Sequence, residues 1–321
     1  MKNLDRRQFL RTVSILGVGA LTTNYLKINA EDKSNKDDPQ GHPVDNKPLP
    51  KMTLAVVEGE KPAEATLAAI NILGGISQFV KKGSVVVIKP NFSWERGPES
   101  AASTNPDVLS AVIKECFKAG AKKVKIIERT CNDSKKCYQV CGIEKVVQET
   151  GAETVLLSSY LREYKEVKIP NGKEMIYCLI AKEVLECDTF INIPIAKHHG
   201  LTKLTLGIKN LMGIIGIKRS DIHHNIGQKL AEILAVARPH LTIIDAYRVL
   251  VRNGPTGGSP KDTVLLKKII ACTDPVAADS YAATLTPFGL QGKDIGYIKA
   301  SYNMGLGEMD ITKLNIIEKK I

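Results

Sequence analysis

The run SVVVIKPN at residues 84–91 decides the fold class expected of this 321-residue chain. Four apolar residues in succession, followed by a polar ending, are typical of a parallel strand that is buried on both faces of its sheet. The run therefore predicts a buried parallel strand that carries Lys89 and Asn91 at its carboxyl end.

Helix-like and strand-like segments alternate around this run. Residues 104–124, TNPDVLSAVIKECFKAGAKKV, have Asn105 as a capping residue and Pro106 at the first helical position, and Gly120 ends the helix before the strand KVKIIE. Other apolar runs predict strands at residues 52–59, 154–159, 187–197, 241–247 and 263–274, and helices at residues 62–80, 137–151, 225–237 and 275–289. The alternation predicts an α/β fold with a mostly parallel sheet and helices on both faces.

One segment departs from this alternation. Residues 166–181, EVKIPNGKEMIYCLIA, predict a β-hairpin with Asn171 and Gly172 at its turn. No repeat or clear boundary interrupts residues 51–321, so we expect a single α/β domain. A second lobe that carries the hairpin is the alternative.

The first fifty residues differ from the rest in composition. DRRQFLR at residues 5–11 is a twin-arginine pattern, and the apolar run VSILGVGAL that follows is far shorter than the ~20 residues of a membrane-spanning helix. Residues 1–30 are therefore predicted to be a signal peptide that engages the twin-arginine translocase and leaves no stable membrane anchor after cleavage. We expect a periplasmic or otherwise extracytoplasmic protein. Residues 31–50 are polar and proline-rich, which predicts a disordered linker.

The formal net charge of +11 favours anionic partners. The sequence has no block of Lys and Arg and no alternation of aromatic and basic residues, so we expect no nucleic-acid partner. A solvated lysine-rich surface is the simpler explanation of the charge, and a small anionic ligand is the partner that the charge would favour.

Polar residues follow four of the predicted strands, at the place where open α/β sheets bind ligands. These endings are KPN at residues 89–91, AKHHG at 196–200, DAYRVLVRNGPTGG at 245–258 and TDPVAAD at 273–279. Turn chemistry explains any one of them, and Asp274 before Pro275 is also a good N-cap. Four such endings at equivalent positions predict a shared site.

These endings lie within blocks that identify a family. VVIKPNF, INIPIAKHHGLTKLTLGIKNLMG, LTIIDAYRVLVRNGPTGG, TDPVAADSYAA and MGLGEMD occur in the same order in the domain of unknown function 362 family, which the chain resembles over nearly all of residues 52–321. The resemblance implies no settled activity. Some relatives carry ferredoxin-like cysteine motifs, but this chain lacks their C-x2-C-x2-C-x3-C run.

A second resemblance is to the lactate racemase apoprotein family. It depends on the order of His199, Gly207 and Lys209, although the double glycine expected before the lysine is missing. This resemblance implies proton or hydride transfer on a small hydroxy acid, in a nickel-dependent reaction.

Histidine and lysine supply the expected chemistry of the site. Histidine titrates near neutral pH and serves as an acid, a base or a metal ligand, and adjacent histidines in a strand point to opposite faces, so one of the doublet is expected to act. A second doublet in DIHHN, with Asn225 as a helix cap, is placed to close over the same cleft.

The candidate catalytic residues are His198, His199, Lys209 and Asp245. The candidate ligand-binding residues are Lys89, Asn91, Lys197, Asn210, Asn253, Gly254, Gly257 and Gly258, the last four as part of a glycine-rich anion cradle. Backbone N–H groups at a helix start after Gly207 would add to the anion site.

Seven cysteines allow a metal site as well. The spacing C-x5-C-x3-C over residues 131–141 fits a disulfide between Cys131 and Cys137, buried thiols, or a metal cluster with an outside ligand. The candidate metal ligands are His199, Asp279, Cys131, Cys137 and Cys141, and the cofactor would be a divalent metal or an iron–sulfur cluster. Three functions follow: an enzyme acting on a small carboxylate or phosphorylated molecule, with or without a metal; a redox protein centred on the cysteines; and a non-catalytic solute-binding protein.

Overall fold

The structure is a computed structural model that describes residues 52–321. The predicted signal peptide and linker lie outside the described residues. Within residues 52–321, no helix is both long enough and apolar enough to cross a membrane.

A ten-stranded, mostly parallel sheet organises the described chain. The twelve strands are β1 (Thr53–Glu58), β2 (Val85–Pro90), β3 (Lys123–Glu128), β4 (Glu153–Leu156), β5 (Tyr164–Lys168), β6 (Tyr177–Ala181), β7 (Thr189–Ile193), β8 (Ile195–His199), β9 (Lys203–Thr205), β10 (Leu241–Leu250), β11 (Thr263–Cys272) and β12 (Asn315–Lys320). The sheet order is β12-β1-β11-β10-β7-β2-β3-β4, and β8 pairs with both β10 and β9. The strands from β10 to β4 in this order are parallel to their neighbours, whereas β11 is antiparallel to β1 and β10. The predicted fold class is confirmed.

Helices cover both faces of the sheet. They are α1 (Pro62–Ile72), α2 (Pro106–Lys118), α3 (Ser134–Val140), α4 (Ile143–Thr150), α5 (Lys182–Glu186), α6 (Gly207–Asn210), α7 (Arg219–His223), α8 (Ile226–Val236), α9 (Pro275–Thr284) and α10 (Gly296–Asn303). Successive residues of β1 show why: Leu54 packs into a core with α8, α9 and α10, and Ala55 packs into a separate core with α1, α2 and α4. Side chains alternate across a strand, so a strand that is apolar throughout is buried against both helix layers.

Glycines and caps set the helix boundaries. Asn105 caps α2 as predicted, accepting a hydrogen bond from the Asp107 N–H at 2.8 Å, and Asp274 caps α9. The helix predicted over residues 62–80 ends at Ile72, because Gly74 and Gly75 adopt positive φ angles of 91° and 86°. Asn225 does not cap α8, since its own φ is 50° and its side chain donates to Glu174 instead.

The predicted hairpin is also confirmed. Strands β5 and β6 pair in a separate two-stranded antiparallel sheet, and Asn171 has a positive φ of 57° in the connection. Tyr164, Cys178 and Ile180 of this hairpin pack into the same core as Leu54 of the central sheet. The hairpin is therefore built onto the main core.

Candidate functional site

A cleft of about 290 Å³ opens where β2, β3 and β8 end. Six of the residues singled out from the sequence line it: Asn91, Cys131, Lys197, His199, Lys209 and Asn210. They come from strand ends and from the short helix α6, which follows β9. Trp94, Arg219 and His223 complete its aromatic and basic lining, and His223 comes from the second histidine doublet.

Lys197 is buried at the floor of the cleft. Its side chain is 1% exposed, and its Nζ donates to Asn91 Oδ1 at 3.1 Å and to the Ala102 carbonyl at 2.5 Å. No carboxylate in residues 52–321 forms an ion pair with it. Burial disfavours the charged form and lowers the pKa of Lys197 to about 7, and the nearby charge of Lys209 acts in the same direction.

Lys209 faces the same cleft from α6. Its side chain is 9% exposed, and its Nζ lies 2.8 Å from Met212 Sδ, a weak acceptor. Like Lys197, it has no ion pair with a carboxylate of the described chain. Burial is the main cause that lowers the pKa of Lys209 to about 8; the Arg219 guanidinium acts in the same direction, and the Cys131 thiol opposes the shift.

A chain of amide side chains holds Lys197 in place. Asn91 accepts from Lys197 and donates through Nδ2 to Asn210 Oδ1 at 2.9 Å. Asn210 in turn donates to Asn192 Oδ1, and Asn192 donates to the Gly207 carbonyl, each at 2.9 Å. The relay joins β2, β7, β8 and α6, so it fixes the distance between the two lysine-bearing elements.

His199 is held as a neutral hydrogen-bond donor. Its Nδ1 accepts from the N–H groups of Leu201 at 3.1 Å and Thr202 at 3.3 Å, which places the ring proton on Nε2. Burial, together with the charges of Lys209 and Lys197, lowers the pKa of His199 to about 3. A histidine that binds a metal through Nε2 donates through Nδ1. The predicted roles of His199 as metal ligand and general base therefore conflict with this arrangement.

His198 does not line the cleft, whereas its neighbour His199 does. Its Nδ1 accepts from the Gly254 N–H at 3.1 Å. Both histidines thus satisfy a backbone donor, and His198 does not take the predicted catalytic position.

Lys89 is committed to an ion pair rather than to a ligand. Its Nζ lies 2.8 Å from Glu128 Oε2, with both side chains almost completely buried, and it also donates to the Pro90 carbonyl. A Cβ on Gly213 would lie 2.0 Å from Glu128 Oε1, so the pair needs a glycine at that position. The predicted anion-binding role of Lys89 is corrected to a structural one.

Asp245 lies outside the cleft lining. It is completely buried and accepts from the N–H groups of Asn105 at 2.8 Å and Tyr247 at 3.0 Å. Burial raises the pKa of Asp245 to about 6, and these two hydrogen bonds oppose the shift. It therefore ties β10 to the start of α2 and does not take the predicted catalytic role.

The helix start at Gly207 is already occupied by a carboxylate of the chain. Asp279 accepts from the Gly207 N–H at 2.7 Å and from the Ile208 N–H at 2.8 Å. Asp279 is consequently neither a metal ligand nor free, and the predicted backbone anion site at this position is absent. Burial raises the pKa of Asp279 to about 8.

The glycine-rich loop is satisfied internally in the same way. Asp262 Oδ2 accepts from the N–H groups of Gly258 and Ser259 and from the Asn253 side chain, and Gly257 donates to the Asn253 carbonyl. With Gly254 bonded to His198, these N–H groups do not face a ligand. The predicted cradle formed by Asn253, Gly254, Gly257 and Gly258 is an internal turn, and from it Pro255 reaches the cleft.

A family model described as "Domain of unknown function (DUF362)" matches residues 86–284. The chain belongs to the DUF362 family. This DUF362 protein is similar to a thylakoid-associated protein of Synechocystis sp., with 29% identity over 206 residues that cover 60% of this chain and 61% of that protein. It thus spans about three-fifths of the length of this curated relative.

Two solved structures show a distant similarity to this DUF362 protein. The lactate racemase apoprotein from Thermoanaerobacterium thermosaccharolyticum has 12% identity and a TM-score of 0.47, over 71% of this chain and 55% of that chain. A protein from Thermotoga maritima has 10% identity and a TM-score of 0.36, over 57% and 50% of the two chains. The lactate racemase apoprotein is thus a structural neighbour, but with both TM-scores below 0.5 neither similarity supports an argument about fold or activity.

The cysteines of this DUF362 protein do not form a cluster. All seven are free thiols, so the predicted disulfide between Cys131 and Cys137 is absent. Cys131 is exposed at the cleft, whereas Cys137 and Cys141 are buried in the core with α2, where burial raises the pKa of Cys137 to about 12. Across the described range, no group of three or more His, Cys, Asp or Glu side chains is arranged to hold a metal. The predicted ligand set therefore does not fit a resident metal or an iron–sulfur cluster.

Several residues of the site were not singled out from the sequence, and three of them carry its charges or its hydrogen bonds. Glu128 pairs with Lys89, Asn192 extends the amide relay, and Arg219 donates to Cys131 Sγ at 2.8 Å and to the Thr130 carbonyl. Glu128 and Asn192 each lie near the end of an apolar strand, the same signal that marks Asn91. Arg219 lies in α7, shortly after α6 in the chain, and no local pattern distinguishes it.

Proposed function

We propose that this DUF362 protein binds a small anionic ligand, a carboxylate or a phosphate, between Lys197 and Lys209. The observation that carries the proposal is that both lysines are buried in one cleft while neither pairs with a carboxylate of residues 52–321. Buried charges in proteins are normally paired, because an isolated charge loses its hydration. An anion in the cleft would supply the partner that both lysines lack.

Lys89 provides an internal comparison. It is equally buried and lies near the same cleft, but Glu128 neutralises it at 2.8 Å. Lys229 is also buried without an ion pair, but the Asp221 carbonyl accepts from its Nζ at 2.6 Å and it does not line the cleft. Lys197 and Lys209 differ from both lysines because they lie in the same cleft and neither pairs with a carboxylate of the described chain.

The remaining lining suits a small anion. Arg219 adds a third positive charge, and neutral His199 adds an N–H donor. Glu128 also lines the cleft, but its charge is balanced by Lys89. A volume of about 290 Å³ favours a metabolite of a few carbon atoms, since pockets for larger ligands exceed it.

Calorimetry tests this proposal with glycolate as the carboxylate probe and inorganic phosphate as the phosphate probe. The wild-type protein should bind at least one of them, and Lys197→Met and Lys209→Met should each weaken binding at least about tenfold, or about 1.4 kcal/mol. Lys218→Met, which removes an exposed charge next to Arg219, should leave the affinity within about twofold.

Two outcomes would refute the site. One is the absence of heat for both probes with the wild-type protein, and the other is unchanged affinity in both methionine variants. Product analysis after prolonged incubation then separates an enzyme from a solute-binding protein, since the latter returns the ligand unaltered.

We also infer that the protein is exported by the twin-arginine route. The support is the pattern DRRQFLR followed by a short apolar run in residues 5–21. A small-molecule site in an exported α/β domain would then act on extracytoplasmic metabolites.

A further inference from the structure

The amine of Lys209 has an unusual environment for a buried lysine. Its single hydrogen-bond partner in the described structure is the thioether of Met212, and no carbonyl or carboxylate of residues 52–321 accepts from it. Lys197 differs, because Asn91 and the Ala102 carbonyl hold its nitrogen and its side chain is 1% exposed against 9% for Lys209. Lys209 is therefore the more accessible and the less restrained of the two amines.

A lysine in such surroundings can act as a nucleophile. Desolvation and neighbouring positive charge favour the neutral amine, whose nitrogen lone pair is the reactive group. Both causes act on Lys209, since it is buried and the Arg219 guanidinium lies nearby, and together they lower its pKa to about 8. The neutral amine is therefore more accessible for Lys209 than for an exposed lysine.

The cleft also holds what the reaction partner of an amine would need. Lys197 and Arg219 are placed to hold an anionic group, and the Nε2–H of neutral His199 can donate to a carbonyl oxygen. The hydrogen bond from a neutral imidazole polarises the carbonyl, and the imidazole keeps its proton.

We propose that Lys209 condenses with the carbonyl carbon of a small aldehyde or ketone that carries a carboxylate or phosphate group. This inference rests on the proposed function, since Lys197 and Arg219 would hold the anionic group of the substrate while Lys209 attacks its carbonyl carbon. The substrate class is thereby narrowed from anions in general to anionic carbonyl compounds.

The step balances without an outside reagent. The Lys209 lone pair forms a bond to the carbonyl carbon while the C=O π electrons move to oxygen, and a proton transfers from nitrogen to that oxygen to give a carbinolamine. The C–O bond then breaks, water leaves with a further proton from nitrogen, and a C=N bond forms. One amine and one carbonyl thus give one imine and one water, with no change in oxidation state.

Reductive trapping tests the proposal. The purified protein is incubated with sodium cyanoborohydride and either glyoxylate, an aldehyde with a carboxylate, or glycolaldehyde phosphate, an aldehyde with a phosphate. Peptide mass spectrometry should locate the reduced adduct at Lys209 in at least one arm, and the arm that reacts identifies the anionic group. Lys218→Met should be trapped to the same extent as the wild-type protein.

Lys209→Arg provides the decisive comparison. Arginine keeps the positive charge but is not a nucleophile at this pH, so this variant should retain binding of glycolate or phosphate within about tenfold and lose the adduct. Lys209→Met should lose both, and its thermal unfolding shows whether it folds.

The other possible results would refute the nucleophile, the proposed function or the assignment to Lys209. Glycolate or phosphate binding without a Lys209 adduct in either arm refutes the nucleophile and leaves the proposed function in place. No binding of either anion refutes both. An adduct at Lys197 alone, or one spread equally over exposed lysines, refutes the assignment to Lys209.

Discussion

At the scale of single residues, the protonation of Lys197 and Lys209 controls what the cleft can bind. Burial stabilises their neutral forms, and a bound anion would stabilise their charged forms. Ligand affinity and proton binding are therefore linked, and the direction of the linkage follows from the direction of the two pKa shifts.

We expect glycolate affinity to fall as the pH rises through the values of about 7 and about 8 at which these lysines lose their protons. Glycolate stays ionised over this range, so the change belongs to the protein. Because the bound anion raises both pKa values again, binding at alkaline pH should take up protons. Calorimetry in two buffers of different ionisation enthalpy measures this uptake, and Lys197→Met should reduce it. An enthalpy that is independent of the buffer contradicts the linkage.

Gly213 is a second residue on which the site depends, because it leaves room for the ion pair of Lys89 and Glu128. A Cβ there would lie 2.0 Å from Glu128 Oε1 and 2.2 Å from Lys89 Cε, inside a buried ion pair that cannot shift freely. We expect Gly213→Ala to lower the free energy of unfolding by about 2–3 kcal/mol, as in overpacked cores. Urea denaturation measures the change.

Gly200 is the matched control, because a Cβ there meets no atom within 4 Å. Gly200→Ala should change the free energy of unfolding by less than about 0.5 kcal/mol. Equal losses in the two variants would show that the ion pair does not set the requirement at residue 213.

Some of these residues are readable from the sequence and some are not. Asn91, Lys197 and His199 stand at the ends of apolar strands, where α/β sheets gather their ligands, so their type and position point to a site. The pairing of Lys89 with Glu128 joins residues 39 apart in the chain, and nothing local to either reveals it. The sequence therefore indicates which residues lie at the edge of the cleft. It does not indicate which of them remain without a partner in the chain.

At the scale of elements, the position of Lys209 depends on how α6 begins. This helix has four residues, too few to be stable alone, and Asp279 of α9 holds its first two N–H groups. The contact joins residues 72 apart in the chain, so nothing near Gly207 in the sequence reveals it. The helix start was therefore predicted to be an anion site, although a carboxyl group of the chain already occupies it.

We expect Asp279→Ala to destabilise the protein and to weaken ligand binding together. Two buried N–H groups would lose their acceptor, at about 1–3 kcal/mol each, and α6 would no longer hold Lys209 in place. Urea denaturation and glycolate calorimetry measure the two effects.

The control is Asp310→Ala, which removes an exposed cap from a turn after α10 and should cost less than about 1 kcal/mol with no change in affinity. A stable Asp279→Ala variant with wild-type affinity would contradict the role given to Asp279.

At the scale of the whole molecule, two apolar cores lie on opposite faces of one sheet in residues 52–321, and the cysteines there are free thiols. The α/β class and the hairpin were readable because each depends on local patterns of period and turn residues. The order of the strands could not be predicted from the sequence. Strand β11 lies antiparallel between β1 and β10, and its position there depends on packing across the sheet.

The proposed export by the twin-arginine route predicts that the paired arginines at residues 6 and 7 are essential to it. We expect the double variant Arg6→Lys, Arg7→Lys to remain in the cytoplasm with residues 1–30 uncleaved, whereas the wild-type chain is recovered outside it in a shortened form. Arg11→Lys, outside the pair, is the matched control and should be exported normally, because it alters neither the paired arginines nor the apolar run at residues 13–21. Immunoblots of fractionated cells that express each variant measure the distribution. Export of the double variant at the wild-type level would show that the first thirty residues do not act through their arginine pair.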